Sequence, residues 1–422
     1  MLPLRLLLHR FVRRGQLSVV DHYGQKHDFG TAGAEPCATI RLHDPRLYRR
    51  LAFYPTLHVG RAYVDGRLTV EGGTLSDFLS LILINERLAS GTRTGAIRRR
   101  LDEAARLSAV VNLPARSRRN VSHHYDHTAD FYRTFLDDDL QYSCAYFSTD
   151  DISLEEAQEA KKRHIAAKLN LRSEHRVLDI GCGFGGMALF LARNYGVHVT
   201  GITLSTEQLR IARERAAKQG LARLVEFRLE DYRNTRGTFD RIVSVGMFEH
   251  VGRPHYRRFF SRLGQLLTDD GVALLHTIGR ETAPSPINAW MRENIFPGAY
   301  LPTLSQLAPA LEKYDYNLAD FENLRLHYAI TLSEWNRRFQ LNRERIRELD
   351  PTRHDERFCR MWEFYLQGCE AAFRHSGLTV FQLQLTKQID ALPITRDYMF
   401  SEERRLMAGE AGVPARPRMA GE

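Results

Sequence analysis

Between Arg176 and Gly186 the chain changes character abruptly. Arg176-Val177-Leu178-Asp179-Ile180 is a short apolar run of the kind that forms a buried strand. It stops at Gly181-Cys182-Gly183-Phe184-Gly185-Gly186, after which Met187, Leu189, Phe190 and Leu191 recur at helical spacing. The pattern predicts strand, tight turn and helix. Glycine accepts positive φ at little steric cost and lets a ligand approach the backbone. The helix start beside it leaves N–H groups unpaired, which suits an anionic or polar ligand. A dinucleotide-binding turn of this type carries an acidic residue about 20 residues on, at the end of the next strand. Here that strand, predicted over 197–203, runs through Thr203-Leu204-Ser205 with no carboxylate.

The same alternation continues along the chain. Strands are predicted over 176–180, 197–203, 225–229, 241–245, 272–276 and 380–386, with helices over 154–169, 186–194, 205–219 and 255–267. Strand–helix alternation implies an α/β domain with a doubly wound parallel sheet and ligands at the carboxyl ends of its strands. The chain has 422 residues, enough for two or three domains. Short strands near 16–20 and 39–42 and helix-like segments at 44–53 and 75–88 predict a smaller mixed α+β domain over 1–118. Residues 119–150 read as a linker and entry segment, and 151–400 as the main domain. A proline-broken insertion at 281–345 reads as a lid, and 401–422 as a flexible tail.

The formal charge is +9, with 60 basic against 51 acidic residues, and arginine dominates the basic set. Arginine favours bidentate contact with phosphate, so nucleic acid and phospholipid headgroups are the partners this composition suggests. Base composition of the gene explains it equally well. Arg93, Arg98, Arg99, Arg100, Arg106, Arg116, Arg118 and Arg119 form either a headgroup-binding strip or a solvated linker face. Residues 1–15 are basic and amphipathic, which fits an interfacial anchor or an ordinary first helix. The five cysteines show no CxxC pair, which argues against a disulfide framework and a zinc site and fits a reducing cytoplasm. His124, Tyr125 and Asp126 lack metal-ligand spacing, and no metal is expected. No apolar run approaches the roughly 18 residues of a membrane span, and no signal-peptide pattern is present.

Asp179-Ile180-Gly181-Cys182-Gly183 resembles the first motif of S-adenosylmethionine-dependent methyltransferases. Gly201-Ile202-Thr203-Leu204-Ser205-Thr206-Glu207-Gln208 resembles the cyclopropane-fatty-acyl-phospholipid synthase and mycolic acid cyclopropane synthase branch of that family. Tyr142 to Phe147, Ser244 to Gly252 and His276-Thr277-Ile278-Gly279 agree with it, and the resemblance spans about 40–390. It implies a Rossmann-like class I methyltransferase sheet and S-adenosylmethionine as cofactor. Gly181, Gly183 and Gly185, with Asp179 and Cys182, would cradle the methionine part. Gln208 would hold the ribose beside Thr203, Leu204 and Ser205. Asp231 and Tyr232 would receive adenine by hydrogen bond and stacking. Gly246 would leave room for the cofactor, and Tyr142 and Ser143 would close over it.

The resemblance further implies a reaction on a cis double bond of a phospholipid acyl chain at the inner face of the cytoplasmic membrane. An alkene attacking an activated methyl leaves a carbocation, so the site must exclude water and hold one base. Glu249, His276 and Tyr328, with the backbone of Cys144 and Ile278, match family positions that hold a bicarbonate ion as that base. Cys369 matches a cysteine once considered a nucleophile, although a reactive thiolate needs an electropositive neighbour. Two departures from the family pattern stand out: Gly60-Arg61-Ala62-Tyr63, where an acidic residue is expected at 61, and Thr128-Ala129-Asp130. A homodimer is compatible with the family. Alternatives are a methyl- or methylene-branching C-methyltransferase, a non-catalytic lipid-binding protein and an RNA methyltransferase. Gly246-Met247-Phe248-Glu249 stands where amino-group methylation would need an Asn/Asp-Pro-Pro-aromatic motif, so no nucleic-acid substrate is expected.

Overall fold

The computed structural model describes residues 1–90, 128–149 and 151–409. The arginine-rich 93–119 stretch and the His123–Asp126 cluster lie outside the described residues. The chain divides into two compact units, each built from three segments.

The first unit comprises Met1–Val110, Arg280–Ala299 and Tyr328–Leu378. Its sheet has the order β2-β1-β3-β4, where β1 is Gln16–Val20, β2 Lys26–Gly30, β3 Cys37–Leu42 and β4 Leu68–Gly72. β1 runs parallel to β3 and antiparallel to β2, and β4 closes antiparallel on β3. β3 alternates buried and half-buried residues, the period of a strand with one face on the core. Helix Leu2–Phe11 buries Leu4 and Leu8. Its C-terminal end is tied down by Asn85 of helix Leu75–Ser90. The Asn85 carbonyl accepts from Arg13 N (2.7 Å) and Arg14 N (3.0 Å), and its amide donates to Arg14 O and Leu81 O (2.8 Å each). Trp290 is buried below helix Pro55–Val64 and meets Phe364 edge-on at 4.7 Å. A Cβ on Gly60 would lie 2.7 Å from the Trp290 ring, which explains a glycine in the Gly60-Arg61-Ala62-Tyr63 run.

The second unit comprises Val111–Gly279, Tyr300–His327 and Thr379–Glu422. Its seven-stranded sheet has the order β10-β11-β9-β8-β5-β6-β7. These strands are β5 Arg176–Ile180, β6 His198–Thr203, β7 Val225–Leu229, β8 Phe239–Val245, β9 Leu267–Arg280, β10 Asn317–Asn323 and β11 Leu378–Thr386. β5, β6, β7, β8 and β9 pair in parallel, and β10 and β11 pair antiparallel. The chain leaves β5 towards β6 and β7, then returns to place β8 on the other side of β5. That reversal opens a crevice between the carboxyl ends of β5 and β8. Val177, Ala188, Leu191, Val199, Ala212 and Val243 belong to the apolar core on which these strands and helices pack.

Strands β1, β5 and β7 and helix Leu154–Leu169 match their predicted bounds, and the other predicted elements shift by a few residues. β9 begins well before 272. β10 was not anticipated, because Asn317-Leu318-Ala319-Asp320-Phe321-Glu322-Asn323 buries little and shows no clear alternation. Three expectations about organisation are corrected. A contiguous 1–118 domain gives way to a unit that also recruits 280–299 and 328–378. The 281–345 insertion is not one lid, because its middle section, 300–327, belongs to the sheet unit. The tail does not begin at 401, since Asp397–Met407 is a helix that buries Met399 and Leu406.

Candidate active site

The crevice is lined from three directions. β5 and its turn contribute Asp179, Gly181, Cys182 and Gly183; the ends of β6 and β8 contribute Thr203, Leu204 and Gly246; Tyr142 and Ser143 come from the entry segment. Gly183 has φ +54° and no atom within 4 Å of where a Cβ would stand, so its bare backbone faces the open crevice. Gly185 differs. It also needs positive φ (+85°), but a Cβ there would strike Phe227 at 2.6 Å and Ala212 at 3.0 Å. It caps helix Gly186–Tyr195 and packs against the core rather than lining the crevice, which corrects its expected cradle role.

Gln208 lies one turn into helix Thr206–Lys218 and lines the crevice. Its Oε1 accepts from Thr203 Oγ1 at 2.8 Å, which leaves the amide as a donor. Ser205 does not line the crevice. Its hydroxyl caps that helix by accepting from Gln208 N at 3.3 Å, so its role is to start the helix at the right place. Asp231 and Tyr232 both reach the crevice. The Asp231 carboxylate is already forked by Arg233, with Nε at 2.8 Å and an Nη at 2.5 Å. Any ligand there meets an Asp231–Arg233 pair, not an isolated acceptor. Arg233, His250, His255 and Arg258 also line the crevice and were not named as ligands from the sequence, although His250 lies in the Ser244–Gly252 stretch and His255 at the start of the helix predicted over 255–267.

The entry segment is positioned by a helix whose buried face is polar. Lys161 of Leu154–Leu169 is fully buried and donates to Gln141 Oε1 (2.6 Å) and Ser143 Oγ (2.9 Å). Gln158 Nε2 donates to Ser143 O at 3.0 Å. Burial pushes the Lys161 ammonium down to about 8, against the pull of Asp137. Burial likewise raises Asp179 to about 7, with Lys161 opposing, and the Asp179 Oδ2 has no hydrogen-bond partner within the protein.

A second group of buried polar side chains lies where β8 and β9 pair. Val245 is in register with His276, and Gly246 N donates to His276 O at 2.9 Å. Glu249, in the turn after β8, accepts from Ile278 N through Oε1 at 2.6 Å. The Ile278 N–H therefore orients Glu249, which corrects its expected role as an open donor. The other carboxylate oxygen, Oε2, is buried with no partner within the protein, and burial raises Glu249 to about 7 against the Ile278 bond. His276 is held down to about 3 by burial, with Lys161 and Lys168 adding to the effect, so it is neutral at physiological pH.

Its tautomer follows from its neighbours. Lys168 only donates, and it reaches Gln382 Oε1 at 2.8 Å. Gln382 must then turn its NH2 towards His276 Nδ1, 3.1 Å away. Nδ1 is the acceptor, and the His276 proton resides on Nε2.

Cys144 is buried, and its thiol donates to Ala145 O at 3.3 Å. Tyr328 belongs to the first unit, where it is buried against Trp335 and Phe373. Cys369 is in that unit too. Its side chain is half-buried at the surface, yet surrounding protein pushes the thiol up to about 12, so it stays protonated and is not a nucleophile at neutral pH.

Residues 113–383 match the family model described as mycolic acid cyclopropane synthetase. The cyclopropane-fatty-acyl-phospholipid synthase of Escherichia coli K12 is 36% identical over 365 residues, covering 85% of this chain and 90% of the relative. The chain belongs to the mycolic acid cyclopropane synthetase family. A probable fatty acid methyltransferase of Pseudomonas putida is 34% identical over 385 residues, covering 87% of this chain and 93% of that protein. The solved mycolic acid cyclopropane synthase CmaA1, complexed with SAH and CTAB, aligns with a TM-score of 0.60 at 34% identity, over 64% of this chain and 97% of that one. The protein is thus an S-adenosylmethionine-dependent methyltransferase with a class I α/β fold. Its crevice suits the cofactor: a bare backbone turn at Gly183, the buried unpartnered Asp179 Oδ2, the Gln208 amide and the ring of Tyr232 present the donors, acceptors and apolar surface it needs.

Two outcomes follow. Gln208→Ala should weaken S-adenosylmethionine binding by about 1–3 kcal/mol, the cost of leaving buried polar groups unpaired; unchanged affinity by calorimetry excludes Gln208 as a ligand. The second concerns Glu249. Its folded-state value of about 7 lies above the ordinary 4.5, so between these pH values the folded chain keeps a proton that the unfolded chain has lost. Stability from this group is therefore lost as pH rises through that window, by roughly 3 kcal/mol. Urea unfolding of Glu249→Gln should show a smaller loss between about pH 4.5 and pH 7.5 than the parent. An identical pH dependence would show that Glu249 is not buried in this state.

Proposed function

We propose that the protein transfers a methylene unit from S-adenosylmethionine to the cis double bond of a phospholipid acyl chain, forming a cyclopropane. The cofactor supplies an electrophilic methyl group. The alkene π electrons form the new carbon–carbon bond as the sulfur–methyl bond breaks, leaving a cation on the acyl chain. Loss of a proton from the added methyl then closes the ring. Water would trap that cation, so its surroundings must be dry. The base must also sit beside the new methyl, since removing a different proton yields a branched alkene.

The observation that carries this reading is the buried pair of Glu249 and His276 in the β8–β9 region. A carboxyl group near neutrality with one unpartnered oxygen, in the turn after β8, and a neutral imidazole bearing its proton on Nε2, on β9, are the groups proposed to hold a small oxyanion. Bicarbonate fits better than a fully deprotonated anion, because it can donate its own proton to Glu249 while accepting from His276. Ile278 N fixes Glu249, and Gln382 with Lys168 fixes the His276 tautomer. Cys144 through its backbone and Tyr328 through its hydroxyl are proposed as further donors on the family pattern. Among the described residues no helix is long and apolar enough to cross a membrane, and the proposed encounter with lipid is at the inner membrane face. The Pseudomonas putida relative, named as a fatty acid methyltransferase, keeps a second reading in view: the same cofactor chemistry ending in a methyl or methylene branch.

Cyclopropane and methylene-branched products are isomers, so mass does not separate them. Proton NMR of the lipid product should show the high-field ring methylene, and removing carbon dioxide from the buffer should slow turnover until bicarbonate is restored. A branch signal establishes the second reading, and turnover indifferent to bicarbonate removes that ion from the mechanism. Gln382→Leu should lower kcat by roughly tenfold or more, with cofactor affinity retained, because it frees the His276 tautomer; effects of this size are typical for groups that orient a catalytic histidine. Gln382→Glu, which can accept from Lys168 but lacks the amide donor, should not rescue it.

A further inference from the structure

We infer that the first unit carries a binding cleft for the phosphate group of a lipid headgroup, formed where helices Leu47–Phe53 and Pro55–Val64 meet. Arg50, Arg61, Arg67 and Arg357 line the cleft together with His58, and Asp65 is its one lining carboxylate. The floor is Trp290, buried and fixed by Phe364. Asp65 is shared by Arg67 at 2.9 Å and Arg357 at 3.2 Å, and Arg67 also reaches Asp44 at 3.4 Å. Arg61 reaches Glu293 at 2.6 Å, but both side chains are more than two-fifths exposed, and exposed pairs of this kind hold weakly. Arg50 has no ion pair among the described residues. Four arginines thus meet three carboxylates, Asp65, Glu293 and Asp44, which leaves one positive charge in excess, at Arg50. Burial lowers the His58 pKa, and Arg50, Arg61 and Arg67 press it down further, with Glu293 opposing.

Several guanidinium forks converging on one space suit the tetrahedral oxygens of a phosphate better than a single planar carboxylate. The border of the cleft points to a lipid. Phe53 and Tyr54 are 62% and 67% exposed at the junction of its two helices. Tyr54 N donates to Arg50 O and His58 N donates to Tyr54 O, so the exposed aromatic ring is carried between two cleft residues. Helix Leu2–Phe11, which packs on Leu47–Phe53, leaves Leu2 and Leu6 exposed beside Arg5 and Arg10. Exposed aromatic and aliphatic side chains mixed with arginine are the composition of an interfacial surface. A free phosphate compound would use the arginines but gain nothing from those apolar groups. This inference does not rest on the methylene-transfer reading, because binding is measured without turnover.

The test uses the full chain and vesicles of phosphatidylcholine with or without phosphatidylglycerol, read by cosedimentation at fixed salt. Arg50→Gln/Arg61→Gln should weaken binding to the anionic vesicles roughly tenfold or more. Arg46→Gln/Arg49→Gln removes the same charge from exposed positions outside the cleft and should change it much less. Thermal melting checks that both variants fold. Inorganic phosphate, titrated by calorimetry and as a competitor, should bind the parent weakly, compete with the vesicles and fail to bind the cleft variant. Equal losses in the two double variants overturn the site in favour of a diffuse field. Phosphate binding that depends on Arg50 and Arg61 without any vesicle dependence overturns the lipid source. Stronger dependence of single-stranded RNA binding than of vesicle binding on these arginines overturns it in favour of nucleic acid.

Discussion

Burying charge on helix Leu154–Leu169 is the constraint on which the sheet unit depends. Lys161, Lys162, His164 and Lys168 are all buried on this helix. An ion taken out of water is costly unless paired and hydrogen-bonded, so each of them demands a specific partner. Lys161 holds the entry segment through Gln141 and Ser143, and Lys162 holds Asp139 at 2.8 Å. His164 lies between Glu322 at 2.6 Å and Glu403 at 2.5 Å and stacks on Tyr146. Burial alone would lower the His164 pKa, but the two carboxylates outweigh it and raise it, which favours the charged ring. Lys168 grips Glu322 and Gln382. One helix thereby ties the entry segment, β10, the C-terminal helix and β11 to the sheet.

The same network acts on the buried titratable groups at the sheet ends. Lys161 acts on Asp179, and burial raises both Asp179 and Glu249 towards neutrality. Each has one oxygen that no protein group satisfies. An unsatisfied buried carboxyl oxygen is expensive in a purely structural role and useful where a polar ligand completes it. His276 follows the opposite rule, since burial and the nearby lysines keep it neutral and Gln382 decides which nitrogen carries the proton. The result is a set of fixed dipoles with little free charge, which suits the proposed chemistry through a carbocation.

The strand–turn–helix at 176–195, the parallel alternation after it and the crevice at the β5 end were legible in the amino-acid order, because periodicity and glycine act between near neighbours. Gly181 and Gly183 were legible in the turn itself, whereas Thr203, Gln208, Asp231 and Tyr232 were named through the family resemblance, and all six line one crevice. Tertiary structure alone decided the rest. Whether Gly185 cradles a ligand or packs on Phe227, and whether Asp231 stands alone or is held by Arg233, depends on which side chain arrives next to it. The assembly of the first unit from three segments has no local signature at all. Lys168 and Gln382 are 214 residues apart, and their bond determines the proton position on His276. Local pattern specifies which backbone conformation each segment prefers, but the pairing of buried polar groups is settled only when burial removes water and leaves each one the partner the fold has brought within reach.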